Sequence, residues 1–252
     1  MPSPSRLRTV LVALGVVVGM LAALPSAPAG ALGLPVLMVG GPYGDIRGVA
    51  TESDGDVVVA TVFGVQRVTP AGESTSLYSG STQLWGVATG VDADVYVSMP
   101  WDGVVRHIAT DGTVSDFATN LGFPLGVAVA TTGDVGVVDQ AGTVRIFDHD
   151  GTLQDSFVPV HDEDLHGIAF DHHGGLWITG LVRGSDPQTM RLHHVQRSAP
   201  HTTTTELVST RTRGLGVAVD SEDILYVTQS PQSTESASDG SIVRFKIGRA
   251  HV

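Results

Sequence analysis

The sequence predicts an all-β fold, a β-propeller of about five four-stranded blades. A unit of roughly 40 residues recurs five times, and such a period is the signature of repeat architectures. Each copy opens on a glycine-led apolar strand. Gly- and Asp-rich turns then follow at matching offsets in every copy.

The first strand begins at Gly48, Gly86, Gly126, Gly167 and Gly216, at spacings of 38, 40, 41 and 49 residues. The copies read GVATESDGDVVVA, GVATGVDADVYVS, GVAVATTGDVGVV, GIAFDHHGGLWIT and GVAVDSEDILYVT. Two residues after each glycine stands an alanine: Ala50, Ala88, Ala128, Ala169 and Ala218. Its neighbours on the opposite face are mainly larger, such as Val127 with Val129 and Ile168 with Phe170. Strand side chains alternate between faces, so each first strand has one slim and one fuller face. Slim faces let radially packed sheets approach closely near a crowded axis.

A second apolar run starts nine residues after each glycine, at Val57, Val95, Val135, Leu176 and Leu225. The polar residues between the runs are hairpin turns. A third strand follows as GVQRV at Gly64, GVVRHI at Gly103, GTVRIF at Gly142, the divergent MRLHHV at Met190, and GSIVRF at Gly240. Outer strands are expected in TSLYSG, VSDFATN, QDSFVPV and TTTELVS. The fifth unit lacks an outer strand of its own. LPVLMVG at 34–40 is expected to supply it and close the ring, which protects edges that would otherwise template aggregation. The rival architecture is a six-bladed relative or a truncation of one.

Residues 1–29 read as a secretory signal. Arg6 and Arg8 precede an apolar run from Val10 to Leu24, and Ala27-Pro28-Ala29 fits a small-x-small cleavage site. The run falls short of the roughly 20 residues that span a bilayer. Residues 30–252 are expected to be one secreted, monomeric propeller without a membrane anchor. The absence of cysteine excludes disulfides, thiolate zinc sites and cysteine nucleophiles. A net charge of −12 argues against nucleic acid, which is bound through Lys and Arg.

GVAVDSEDILYVTQS and GVAVATTGDVGVVDQAGTVRIF resemble NHL repeats, and GIAFDHHGGLWITG also resembles repeats of the virginiamycin B lyase and gluconolactonase-like propellers. The resemblance covers nearly all of residues 30–252 and implies the propeller fold. It implies functions as different as sensing, scaffolding and catalysis. NHL repeats typically carry paired asparagines before the arginine, and these are absent. Asn120 is the only asparagine, so the two-asparagine calcium site implied by a gluconolactonase-like resemblance has no counterpart here.

Propeller topology sorts the loops. The segment entering each first strand and the turn between second and third strands share one face, the top. The turn between first and second strands lies at the bottom, about 15 Å away for a strand of five residues. His166 therefore enters at the top, whereas His172 and His173 are exposed bottom-turn residues. The stretch from His161 to His166 suggests His161, Asp164 and His166 as ligands for a divalent cation. His166 with Asp139 is the candidate acid–base pair. Arg47, Trp85, Trp101, Asp139 and His166 are expected to converge as a binding rim for a small molecule or an extracellular protein. No cofactor other than a divalent cation is suggested.

Two function classes follow: a binding or sensing module using the top face, or a metal-assisted lyase or lactone hydrolase using the same face. Gly-x-Ser-x-Gly elbows, phosphate loops and His-Glu-x-x-His motifs are absent. The recurring Arg67, Arg106, Arg145 and Arg244 are expected to act structurally between blades. The Asp-Gly turns at Asp54, Asp111, Asp150 and Asp239 have hairpin chemistry rather than calcium-loop spacing. The insertions at 180–190 and 229–240 are expected to be top-face loops that form a partial lid.

Overall fold

The structure is a computed structural model describing residues 46–246 apart from 63, 81, 186–188, 211, 214–215 and 232–240. The expected leader, the closing segment 34–40 and most of the 229–240 insertion lie outside the described residues. The chain is all-β, with five antiparallel blades. Blade 1 comprises β1 (Ile46–Thr51), β2 (Val57–Thr61), β3 (Gly64–Val68) and β4 (Ser74–Ser79), in that spatial order. Blade 2 repeats the order with β5 (Val87–Thr89), β6 (Val95–Met99), β7 (Val104–Ile108) and β8 (Val114–Ala118). Blade 3 contains β9 (Pro124–Val129), β10 (Val135–Asp139), β11 (Val144–Phe147) and β12 (Leu153–Phe157). Blade 4 contains β13 (Glu163–Phe170), β14 (Leu176–Val182), β15 (Thr189–Val195) and β16 (Thr203–Thr210).

In blade 5, β17 (Thr212–Arg213) and β18 (Val217–Val219) both pair with β19 (Ile224–Pro231). Their registers place them as two pieces of one inner strand. β20 (Ser241–Lys246) pairs with the same β19 residues as β18 does, and so lies on the opposite edge. No helix among the described residues is long and apolar enough to cross a membrane.

The core lies between blades rather than inside one. Val87, Val95 and Val97 of blade 2 pack with Val58, Ala60 and Val65 of blade 1. Val127, Val135 and Val137 join Ala88 and Val105 across the next interface. Ile168, Leu176 and Ile178 meet Ala128, Val138 and Val144. Leu225 and Val227 of blade 5 complete the series against Trp177, Leu181 and Met190. In blades 1 to 3 the slim alanine face of the inner strand thus receives the fuller face of the next blade, as the period-two alternation requires. The five inner strands line a central channel of about 230 Å³.

Close approach explains the anchor glycines. A Cβ on Gly48 would lie 2.7 Å from the Trp85 carbonyl oxygen and 3.0 Å from the Val87 nitrogen. Gly86 and Gly126 stand in the same relation to the carbonyl oxygens of Leu125 and His166, each the residue before the next glycine. A buried hydroxyl reinforces one junction: the Ser98 Oγ accepts from the Gly86 N–H at 2.8 Å and donates to the Leu125 carbonyl at 2.6 Å. Thr179 and Thr228 accept the Gly167 and Gly216 N–H groups in the same way.

The bottom turns share one geometry. The residue seven positions after each glycine is left-handed: Gly55, Ala93, Gly133, Gly174 and Asp223, with φ of 95°, 62°, 90°, 82° and 58°. Three are glycine, for which this conformation carries no Cβ penalty.

Candidate functional site

In blades 1 to 4 the residue preceding the anchor glycine sits in a β-bulge. The β1–β2 register shifts across Arg47, the β9–β10 register across Leu125, and the β13–β14 register across His166 and Gly167. In blade 2 the Trp85 N–H donates to the Ser98 carbonyl while the Ser98 N–H donates to the Gly86 carbonyl, so two residues again oppose one. Bulges bend a strand and re-aim its side chains, and they are frequent beside functional sites. Arg47, Trp85, Leu125 and His166 are therefore equivalent positions at the top of successive inner strands. Leu125 is buried, and the other three are half-buried. The Arg47 guanidinium lies over the Trp85 ring at 4.9 Å, a cation–π contact between blades 1 and 2.

Trp101 stands further out, in the turn between β6 and β7, and is 68% exposed. Phe123 meets its ring edge-to-face at a centroid distance of 5.0 Å, and the indole N–H donates to the Gln83 side-chain oxygen at 3.4 Å. Beside it, the Thr82 hydroxyl donates to the exposed Asp102 carboxylate at 3.0 Å.

Asp139 belongs to the fold. It is 2% exposed, and one carboxylate oxygen accepts the Thr143 N–H at 2.9 Å while the other accepts from Arg145 at 2.7 Å. It thereby ties the β10–β11 turn to its own blade and does not join Arg47, Trp85 and His166 at the channel mouth. The proposed cation ligands are likewise dispersed. His161 is exposed, His166 is half-buried in the bulge, and Asp164 is bound by Arg183 at 2.6 Å. Among the described residues, the group whose ligand atoms lie within 4.8 Å of one another is Glu52, Asp54 and Asp56 in a bottom turn. Glu52 commits both oxygens to Arg67, at 2.6 and 2.7 Å.

Sequence reasoning passed over Glu163. Its carboxylate is 1% exposed and accepts from Arg191 and His193, each at 2.8 Å; the other His193 ring nitrogen contacts the Thr205 hydroxyl at 3.1 Å. Burial pushes the Glu163 carboxyl up, but the hydrogen bonds and charges of His193 and Arg191 outweigh it and hold the group below its ordinary value. The missed signal is Gly180, where the equivalent blade 2 and blade 3 positions carry Met99 and Asp139. A Cβ at Gly180 would collide with the Glu163 carboxylate, so the glycine vacates the space that the acid fills.

At the bottom, His172 contacts the Asp220 carbonyl at 2.9 Å and His173 lies 4.0 Å from Asp223, both as exposed turn residues. His194 instead stacks on Trp177 and bonds Asp171 at 2.9 Å. The recurring arginines act within their own blades and also between blades, since Arg67 donates to the Ala93 carbonyl of blade 2 at 3.3 Å. Arg67 and Arg145 bind Glu52 and Asp139. Arg106 contacts Met99 at 3.2 Å and Asp116 at 3.5 Å, and reaches blade 1 through the Tyr78 ring. Ladder pairing explains the difference, because Arg67 lies opposite Val58 whereas Arg106 and Arg145 lie opposite Val97 and Val137, one position further along. The four arginines therefore do not form one stripe.

Comparison with solved structures agrees with this architecture. A chain of the nidogen–laminin complex superposes with a TM-score of 0.62 at 17% identity, covering 75% of this chain and 73% of that one. A streptogramin B lyase gives 0.61 at 11% identity over 82% and 70% of the two chains. Virginiamycin B lyase from Staphylococcus aureus gives 0.59 at 15% identity over 81% and 71%. The likeness is one of fold. No family model matches the chain, and no curated protein matches it. Function must therefore be argued from the top-face residues themselves.

Proposed function

We propose that this chain is a secreted binding propeller that takes a small molecule or a protein partner on its top face. The observation that carries this reading is the exposed indole of Trp101, braced by Phe123 and Gln83 on the same top face as the Arg47–Trp85 pair. The acids nominated for chemistry there, Asp139 and Asp164, are engaged by arginines, as is Glu163. Those contacts suit a rigid platform better than a proton-transfer site. Export rests on the leader-like residues 1–29. The fold shared with a chain of the nidogen–laminin complex supports a protein partner.

The test is to screen residues 30–252 against peptide, glycan and small-molecule arrays, then repeat with Arg47→Ala and Trp101→Ala. Hits should weaken in both variants. If every hit survives both substitutions, the top-face reading is wrong. The lyase and lactonase folds support a second reading, metal-assisted catalysis at His166. Melting in EDTA and then in Ca²⁺, Mg²⁺, Mn²⁺ or Zn²⁺ separates the two, because a native-state ligand raises stability by mass action. A cation-specific rise that disappears in His166→Ala would favour the enzyme. An unchanged melting temperature favours the binding module.

A further inference from the structure

We propose that Trp101, Asp102 and Gln83 form a guanidinium-recognition site for an arginine-bearing segment of a partner polypeptide. This rests on the top-face binding reading and names its ligand chemistry. Three features point the same way. First, Trp101 is 68% exposed yet held from two sides, by Phe123 edge-on and by Gln83 at its N–H. An aromatic surface fixed before binding loses little entropy when a ligand arrives. Second, an acid stands beside it. Thr82 and Gln83 are consecutive and hold Asp102 and Trp101 respectively, so the exposed carboxylate is anchored next to the indole. Third, the chain already contains the contact in question, since Arg47 stacks on Trp85 at 4.9 Å on the same face.

The chemistry selects arginine. A guanidinium is planar and weakly hydrated, so it stacks on an indole while its edge N–H groups remain available to a carboxylate. A lysine ammonium lacks the plane and keeps its hydration more tightly. The net charge of −12 adds long-range attraction for a basic partner.

Fluorescence anisotropy of a labelled peptide with arginines spaced by Gly-Ser tests the proposal. Its lysine and citrulline counterparts are run beside it, and unlabelled free L-arginine serves as competitor. The arginine peptide should bind saturably, more tightly than the lysine peptide, while the neutral citrulline peptide should not bind. Trp101→Ala and Asp102→Asn should each weaken binding roughly five-fold, the scale of one exposed cation–π or ion-pair contact. Val91→Ala, at a 65% exposed site in a bottom turn, should leave the affinity unchanged.

Unchanged affinity in Trp101→Ala, or equal binding of the citrulline peptide, overturns the proposal. Free arginine competing as strongly as the peptide overturns the polypeptide assignment. An array ligand that lacks arginine and still requires Trp101 would overturn this inference while leaving top-face binding intact.

Discussion

Gly48→Ala adds one methyl group where blade 1 meets blade 2. The new Cβ would lie 2.7 Å from the Trp85 carbonyl oxygen, 3.0 Å from the Val87 nitrogen and 3.1 Å from a Val87 methyl. Two of those contacts are backbone, and Val87 itself is packed against Val58 and Ala60, so blade 2 cannot retreat without opening the interface. Overpacking of this kind costs about 1–3 kcal/mol. Alanine offsets about 0.4–1 kcal/mol of that by restricting the unfolded chain. From the middle of each range the net loss is about 1.3 kcal/mol, which lowers the melting temperature of a domain this size by about 3–5 °C. Calorimetry and urea unfolding of residues 30–252 measure it. Ala93→Gly is the same one-methyl change in reverse, at φ 62°, and should stabilise by up to about 1 kcal/mol because the left-handed strain disappears. A Gly48→Ala protein that melts at or above the parent temperature would refute the close-approach argument.

Glu163→Gln should cost about 3 kcal/mol at pH 7 by leaving Arg191 without its buried counter-ion and weakening the hydrogen bond to His193. The folded value of Glu163 is lowered, so its contribution is fully present above the unfolded value of about 4.3 and is lost as pH falls through the folded value. The stability gap between parent and variant should therefore narrow in melts below about pH 4; a gap independent of pH would contradict the ion-pair account. Ser98→Ala removes the partner of both the Gly86 N–H and the Leu125 carbonyl, and urea titration should show a loss of about 1–3 kcal/mol. Ala169→Leu should overpack the slim face of blade 4 by about 1–3 kcal/mol, and a neutral result would count against the packing of alternating faces.

The five-fold repeat was legible in the sequence because hairpin strands are local objects. The glycine, the alanine two residues on, the turn and the second apolar run recur at fixed offsets, and hydrophobic alternation requires each to face the same way. The separation of His166 from His172 and His173 followed from the same reasoning, since one strand has two ends. The tertiary structure alone decided what each side chain touches. Asp139 read as a free acid until the fold brought Arg145 and the Thr143 N–H onto its two oxygens. Glu163 was not singled out within the stretch from His161 to His166, because Arg191 and His193 lie 28 and 30 residues away in sequence. The bulges that aim Arg47, Trp85 and His166 were hidden too, because a bulge is a property of two paired strands and not of one. Composition and periodicity report how a strand is built; the partners of its polar atoms come from residues far away in sequence, and only the packing of strands and blades fixes them.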